Sequence, residues 1–250
     1  MYFPERSAQF SGSDLAAMME TLDAEAREAF ILEQVRNGCV PDFMRVASQI
    51  ILTGPGGLVG NLEVCPDYLC LGTDDDYFYA QCSIVTAQKI ADEIGAMLPT
   101  KKIVDEIWKQ AAGKIDPITQ TPDEKMVTFP VFQKQSREVI AARAKLGLPL
   151  GSLQDGGFKN YILVPGLAAR PGQTCIYGFH QKKNNRPIQA PNLSAHGRNY
   201  VDYSQCPRFI SREMFVGDDL LSVADVLAHA ILHVLVSSEG PSKVHRVPGV

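Results

Sequence analysis

The sequence lacks the features that mark several large classes of protein. No stretch approaches the roughly twenty consecutive apolar residues of a membrane-spanning helix, and the first residues, which include Glu5, do not form a secretory signal. Lys and Arg number 24 against 28 Asp and Glu, whereas general nucleic-acid binding needs clustered basic residues. We therefore expect a soluble, cytoplasmic protein whose partner is neither a membrane nor a nucleic acid.

Motifs for large cofactors and for metals are also missing. The turn Gly54-Pro55-Gly56-Gly57 lacks the Lys-Ser/Thr pair of a phosphate-binding loop, and no dinucleotide-binding motif is present. The spacing of the six cysteines matches no Cys-x-x-Cys or zinc-ribbon pattern. We expect a cofactor-independent protein without a bound metal, whose cysteines are mostly reduced and buried: Cys39, Cys65, Cys70, Cys82, Cys175 and Cys206.

What is present predicts helices and one hairpin in the first half of the chain. Apolar spacing and capping residues, among them Ser13 and Asp23, indicate helices at 13–38 (one broken helix or two), 84–94, 101–112 and 131–146. Two apolar runs flank the glycine-rich turn and predict a β-hairpin of 50–53 with 58–65. Further short strands are expected at 68–71 and 77–80.

The second half is punctuated by Gly and Pro and predicts short, irregular strands. These are expected at 161–164, 174–179 and 200–203, before a last helix over 223–236 and a loosely held tail after Gly240. The pattern indicates an α+β fold, with a helix-rich first half and a pocket formed by the second half. We expect 1–250 to form a single domain, with a seam between two lobes near 114–130, where the apolar pattern fades.

A set of phrases stands out along the chain. They are Cys65-Pro66-Asp67-Tyr68-Leu69, Leu71-Gly72-Thr73-Asp74, Thr86-Ala87-Gln88-Lys89-Ile90-Ala91-Asp92, Leu98-Pro99-Thr100-Lys101-Lys102-Ile103-Val104-Asp105, Tyr177-Gly178-Phe179-His180 and Tyr200-Val201-Asp202-Tyr203-Ser204. Together they resemble a family of uncharacterised bacterial proteins, and the likeness extends from Gly38 to Arg212. The resemblance implies a relation but no activity.

The chain departs from the pattern of that family at ionisable positions. The family has Gly-His-Lys-Lys-Asp where this chain has Gly-Gly-Phe-Lys-Asn at 156–160, and Tyr-Ser-His-Gly where it has Tyr-Ser-Gln-Cys at 203–206. Gly157, Asn160 and Gln205 thus replace two imidazoles and one carboxylate, while His180 and Asp202 remain. Loss of those groups removes most capacity for proton transfer or metal binding. The resemblance therefore implies that this chain has lost the chemistry of the family or performs a different one.

Chemically capable side chains are densest between His196 and Arg208, bounded by turn residues, as in a loop that lines a pocket. The candidate catalytic residues are His180, His196, Tyr203 and Cys206. Either histidine would be the base, Tyr203 an acid or hydrogen-bond donor, and Cys206 a nucleophile. The candidate substrate-binding residues, with Lys159 and Arg208 as anchors for an anionic group, are Lys159, Asn160, Asp202, Ser204, Gln205 and Arg208.

Other groups carry weaker signals and are expected to have ordinary roles. Cys82 precedes a helix, whose dipole would lower the pKa of its thiol, but the motif of a cysteine protease is absent. His229 and His233 have the spacing of two metal ligands on one helix, without the intervening Glu of a metalloprotease. The acidic turn at 74–76 lacks the ligand spacing of a calcium loop.

Two classes of function fit these residues. The leading hypothesis is an enzyme on a hydrolase-like scaffold, of hydrolase or lyase/cyclase type, that acts on a small organic or acyl/amide substrate by acid–base or nucleophilic chemistry. The alternative is a non-catalytic protein that binds a small ligand and has lost the reactive residues of the family. The sequence leaves a homo-oligomer open.

Overall fold

The computed structural model describes residues 1–7, 10–193 and 195–250. Its helices are α1 (Gly12–Glu20), α2 (Ala24–Arg36), α3 (Ile84–Glu93), α4 (Lys101–Gln110), α5 (Phe129–Ala144) and α6 (Val223–Ala228). Its strands are β1 (Ser48–Thr53), β2 (Val59–Val64), β3 (Cys70–Gly72), β4 (Tyr77–Tyr79), β5 (Ala96–Met97), β6 (Gly113–Ile115), β7 (Gln154–Gly156), β8 (Lys159–Tyr161), β9 (Ile176–Gln181), β10 (Arg186–Gln189), β11 (Ile210–Val216) and β12 (Asp219–Ser222). The fold is α+β, as predicted.

Side-chain caps determine where several helices begin. Ser11, rather than the predicted Ser13, caps α1, and its hydroxyl accepts from the backbone N–H three residues on. Asp23 caps α2 as predicted, and Ser83 and Thr100 cap α3 and α4 in the same way. Each cap satisfies a backbone donor that the first turn of a helix leaves unpaired.

The larger sheet is antiparallel and has the order β1-β2-β11-β12, with β5 paired to β11. The predicted hairpin forms its first two strands, in a register that places Ile51 opposite Asn61. Alternation puts Ile50 and Leu52 in the core, both fully buried, whereas Ile51 between them is exposed. Burial of one face of the sheet therefore follows directly from the period-two pattern of the sequence.

The smaller sheet, β10-β9-β8, positions several candidate site residues. In its register Lys159 lies opposite Gly178 and Asn160 opposite Tyr177. Strands β3 and β4 form an antiparallel pair, and β6 and β7 a parallel one. Because β6 and β7 lie on either side of α5 in the chain, their pairing connects the two halves of the sequence. The predicted seam near 114–130 stays a prediction.

Three predictions about the second half are wrong. No strand forms at 200–203, where the backbone is irregular and enters a turn at Tyr203. The last helix ends at Ala228, because His229 adopts an extended backbone, and a separate 3-10 turn follows at Leu232–Leu235. The tail after Gly240 is docked, since Val247 is fully buried and its N–H donates to the Gln88 side chain at 2.8 Å.

Among the described residues, no helix is both long enough and apolar enough to cross a bilayer.

Candidate functional site

Asp105, on α4, accepts hydrogen bonds from several buried or half-buried side chains. The Tyr177 hydroxyl donates to its Oδ1 at 2.6 Å, and His180 Nε2 lies 3.1 Å from the same oxygen. Lys101, one turn earlier on α4, donates to Oδ2 at 2.8 Å. We call these four residues the Asp105 cluster. Burial opposes ionisation of Asp105, but the hydrogen bonds from His180, Lys101 and Tyr177 outweigh it and lower its pKa to about 2.

Aromatic rings hold His180 in place. The Trp108 ring lies nearly parallel to the imidazole, at 15°, with the ring centroids 5.1 Å apart, and the Tyr177 ring meets it edge-on at 5.7 Å. Trp108 Nε1 donates to Asn185 Oδ1 at 3.1 Å, which ties it to the β9–β10 turn. Since Asp105 is ionised at neutral pH, the His180 nitrogen that faces it carries the proton. The imidazole is therefore fixed in both tautomer and orientation.

The backbone before His180 is strained. Gly178 and Phe179 both have positive φ, 109° and 59°, within strand β9. A non-glycine residue in this region costs free energy, and Phe179 is buried, so the surrounding packing must hold it there. Residues with such strained backbone cluster at functional sites, so Phe179 supports a functional site near His180.

A cleft of about 490 Å³ lies beside Asp105. Its polar wall includes Lys101, Lys102, Lys109, His233, Ser237 and Ser238. His233 Nδ1 lies 3.1 Å from the His229 carbonyl oxygen, which can only accept, so in the neutral imidazole Nδ1 carries the proton and Nε2 has the lone pair. Burial lowers the pKa of Lys102, whose ammonium donates to the Thr53 carbonyl at 3.0 Å. The cleft thus holds a potential base, ammonium groups and a fixed carboxylate.

The run between His196 and Arg208 forms a second group around Asp202, which we call the Asp202 cluster. Asp202 is buried, and its Oδ1 accepts from the backbone N–H and hydroxyl of Ser204 at 2.8 and 2.6 Å. The Tyr200 hydroxyl and the Gln205 amide approach Oδ2 at 3.5 and 3.4 Å. The His196 ring stacks on Tyr200, with centroids 4.0 Å apart and planes at 4°. These contacts connect side chains that are close in sequence.

Two basic groups accompany the Asp202 cluster. Burial lowers the pKa of His196 and of Lys159, while the charge of Asp202 acts in the opposite direction on both. Lys159 also lies 5.9 Å from the centre of the Phe179 ring. The structure therefore brings together five predicted residues, namely Lys159, His196, Asp202, Ser204 and Gln205.

Cys206 and Tyr203 lie in less reactive surroundings. Cys206 is fully buried, its thiol faces the carbonyls of Leu69 and Ala80 at 3.6 Å, and burial raises its pKa well above the ordinary value. Tyr203 is buried too, and its hydroxyl accepts from the Gln120 backbone N–H at 3.0 Å. Neither contact supports the nucleophile or acid role expected from the sequence.

Arg208 and Asn160 belong to a buried polar network. Arg208 donates to the carbonyls of Cys65 and Gln154 at 3.0 and 2.6 Å and lies 3.4 Å from the Asp155 carboxylate. Asn160 Nδ2 donates to the Tyr68 hydroxyl at 3.2 Å. With Arg208 fully buried and engaged by the protein itself, its contacts indicate a structural role rather than the predicted anchor for an anionic group.

Eight of the ten predicted candidates divide among three places, and Tyr203 and Cys206 make the separate contacts given above. His180 lies in the Asp105 cluster, five residues lie in the Asp202 cluster, and Arg208 and Asn160 lie in the buried network. Sequence reasoning missed Asp105, Tyr177 and Lys101. Two sequence signals could have found them. Lys101 and Asp105 lie one helical turn apart, and Tyr177 belongs to the same short sequence phrase as His180.

Across the described residues, no group of three or more His, Cys, Asp and Glu side chains could hold a metal ion.

Comparison with protein-family models, with curated proteins and with solved structures finds no match to this chain. The resemblance to an uncharacterised bacterial family therefore stays a prediction.

Proposed function

We propose that the chain is an enzyme of hydrolase or lyase type that performs acid–base chemistry on a small polar organic substrate in the cleft beside Asp105. The observation that supports this proposal is the position of Asp105. Its carboxylate lies in the wall of the cleft, while the buried side chains of His180 and Tyr177 hold it in one orientation. A carboxylate fixed in advance beside a cleft is typical of a catalytic site.

The residues of the cleft would have distinct roles. His233 Nε2 is the acceptor with a free lone pair, so it would remove a proton from the substrate or from water. Lys101 and Lys102 would stabilise negative charge that develops on the substrate. Asp105 stays ionised at neutral pH and would stabilise the positive charge that appears when His233 takes the proton. His180, expected from the sequence as a base, would be a positioning residue that acts through Asp105.

The proposal can be tested with a panel of small chromogenic esters, anilides and phosphate esters. His233→Gln and Asp105→Asn should each lower turnover about a hundredfold or more, the usual contribution of a positioned acid or base. His245→Gln is the matched control, because the His245 ring also contacts a backbone carbonyl, at 3.0 Å, but lies outside the cleft.

Equal rates in wild type and His233→Gln would contradict the proposed base. A complete lack of turnover across the panel would favour the alternative, a non-catalytic protein that binds a small ligand.

A further inference from the structure

A second cavity, of about 330 Å³, has a largely apolar wall. We call it the Tyr200 cavity. Its apolar lining comes from Met19, Val127, Phe132 and Val201. None of its lining residues lines the cleft, so a ligand here would be independent of the reaction proposed there. A cavity of this volume with a few polar groups has the general form of a small-molecule site.

Gln81 supplies an unpaired acceptor to the wall of the Tyr200 cavity. Its side-chain NH₂ donates to the backbone carbonyls of Phe132 and Tyr203, at 3.3 and 3.2 Å, which uses both amide hydrogens. Among the described residues, both hydrogen bonds of the Gln81 side chain are made by its NH₂ group, and none reaches Oε1. Oε1 is not among the buried side-chain atoms without a partner, so it stays accessible, and a ligand that carries an N–H at this point could donate to it directly.

Arg27 supplies positive charge to the same wall. One of its N–H groups donates to the Leu22 carbonyl at 2.6 Å, and the guanidinium lies 5.7 Å from the centre of the Phe129 ring. A guanidinium has five N–H donors, so Arg27 keeps donors for an anionic group. Across the described part of the chain, no carboxylate forms an ion pair with it.

Glu28 follows Arg27 and places a carboxyl in the wall. It accepts from the backbone N–H and the hydroxyl of Ser83, both at 2.9 Å, and Ser83 is the cap of α3. Arg27 and Glu28 therefore place a guanidinium and a carboxyl beside one small cavity, and burial raises the pKa of Glu28 above its ordinary value. A ligand that carries only one sign of charge would match one of them and lie against the like charge of the other.

Tyr200 forms a rigid part of the wall. His196 covers one face of its ring at 4.0 Å, and its hydroxyl points to the buried Asp202. Because these contacts already hold Tyr200, a ligand would not have to order it on binding.

We propose that the Tyr200 cavity binds a free apolar α-amino acid of about the size of leucine or phenylalanine. Its carboxylate would bind Arg27, its ammonium group would donate to Gln81 Oε1 beside Glu28, and its side chain would contact Met19, Phe132 and Val201. The zwitterion satisfies both charges and the unpaired acceptor, which neither a simple acid nor a simple amine does.

Titration calorimetry with L-leucine and L-phenylalanine tests the proposal directly. Isocaproate lacks the ammonium group of leucine and isoamylamine lacks its carboxylate, so each should bind at least tenfold more weakly than leucine. Arg27→Gln removes the charge and should weaken leucine binding at least tenfold. Val127→Trp should do the same, because Val127 is 40% exposed at the rim and a larger ring there would fill the entrance.

Matched controls separate these effects from general damage to the fold. Arg137→Gln removes an exposed arginine outside the cavity, and Val46→Trp adds the same ring at a site that is 64% exposed. Both controls should bind leucine as wild type does. Lack of binding by either amino acid at millimolar concentration would overturn the proposal. So would isocaproate binding as tightly as leucine, or unchanged binding in Val127→Trp. None of these three results depends on turnover in the cleft.

Discussion

The rings of Trp108 and His180 lie face to face, 5.1 Å apart and within 15° of parallel. Trp108 is 2% exposed and donates to Asn185, so it packs in the interior and also fixes the plane of the imidazole. The direction of the bond from His180 to Asp105 therefore depends on a core residue. Packing and site geometry are coupled at this point.

Replacement of Trp108 by Ala should lower the free energy of unfolding by about 3–5 kcal/mol, because it leaves a large cavity. Urea denaturation followed by circular dichroism measures the loss without relying on tryptophan fluorescence. The control is Val46→Ala. Val46 is 64% exposed, so this variant should change the free energy of unfolding by less than about 0.5 kcal/mol. Equal stability of the two variants would show that Trp108 does not pack as described.

Asp105 should make the stability of the fold depend on pH. Its pKa falls from 3.8 to about 2 because the hydrogen bonds from its neighbours outweigh its burial. A carboxyl with a lowered folded pKa stabilises the fold while ionised, so this contribution is complete above about pH 4 and disappears as the pH falls towards about 2. Asp105→Asn should therefore lower the free energy of unfolding by about 1–3 kcal/mol at neutral pH. Below about pH 4 the unfolding free energies of the variant and the wild type should become more similar.

Urea unfolding at a series of pH values checks the Asp105 prediction. The control is Asp218→Asn, at an exposed turn, which should show no such narrowing. If the unfolding free energies of wild type and Asp105→Asn differ by the same amount down to about pH 2, the hydrogen bonds of Asp105 do not depend on its ionisation.

Arg208 should be essential to the fold through its buried ion pair with Asp155. Both side chains are at most 2% exposed. Arg208→Met leaves the Asp155 carboxylate without its cation and should cost about 3–5 kcal/mol. The exposed pair of Arg36 and Glu93 is the matched control, and Arg36→Met should cost at most about 1 kcal/mol. The double variant Arg208→Met/Asp155→Asn should lose less unfolding free energy than the two single variants together. If its loss equals their sum, the two side chains do not interact as described.

The parts of the fold that could be predicted depend on local sequence. The hairpin of β1 and β2 follows from two apolar runs around a glycine-rich turn, and the start of α2 from the cap at Asp23. The pairing of β11 with β2 and β5 could not be predicted, because those partners are far apart in sequence and no local pattern encodes their register. The break after Ala228 was missed for another reason, since the helical pattern continues beyond it.

The candidate site shows the same division. Ser204 and Gln205 both contact Asp202 because the three residues lie within four positions of the chain. The pair of Asp105 and His180, by contrast, is separated by 75 positions, and only the folded chain brings them together. A dense run of reactive side chains suggests more site residues than the fold brings together. Neighbours in such a run can point into different surroundings, as Tyr203 and Cys206 do.

The thiols should be slow to react in the native protein. All six cysteines are reduced thiols that are at most 1% exposed, and burial raises the pKa of Cys206. Since the thiolate is the nucleophile, iodoacetamide should modify native cysteines far more slowly than those of the urea-unfolded chain. Mass spectrometry of the labelled protein measures this. Fast, selective labelling of Cys206 in the native state would instead restore it as a catalytic nucleophile.

Val247 should hold the end of the chain in place. It is fully buried, its N–H donates to Gln88 Oε1, and the adjacent Arg246 forms an ion pair with Asp92 at 2.7 Å. Val247→Ala removes two buried methyl groups and should cost about 2 kcal/mol, at about 0.8 kcal/mol for each carbon plus a small cavity. Urea unfolding beside the exposed Val46→Ala control measures the loss.

In wild type the Val247 amide should also exchange slowly with deuterium, because it is buried and hydrogen-bonded. Rapid exchange, or a loss no larger than that of the control, would show that the tail is loosely held after all.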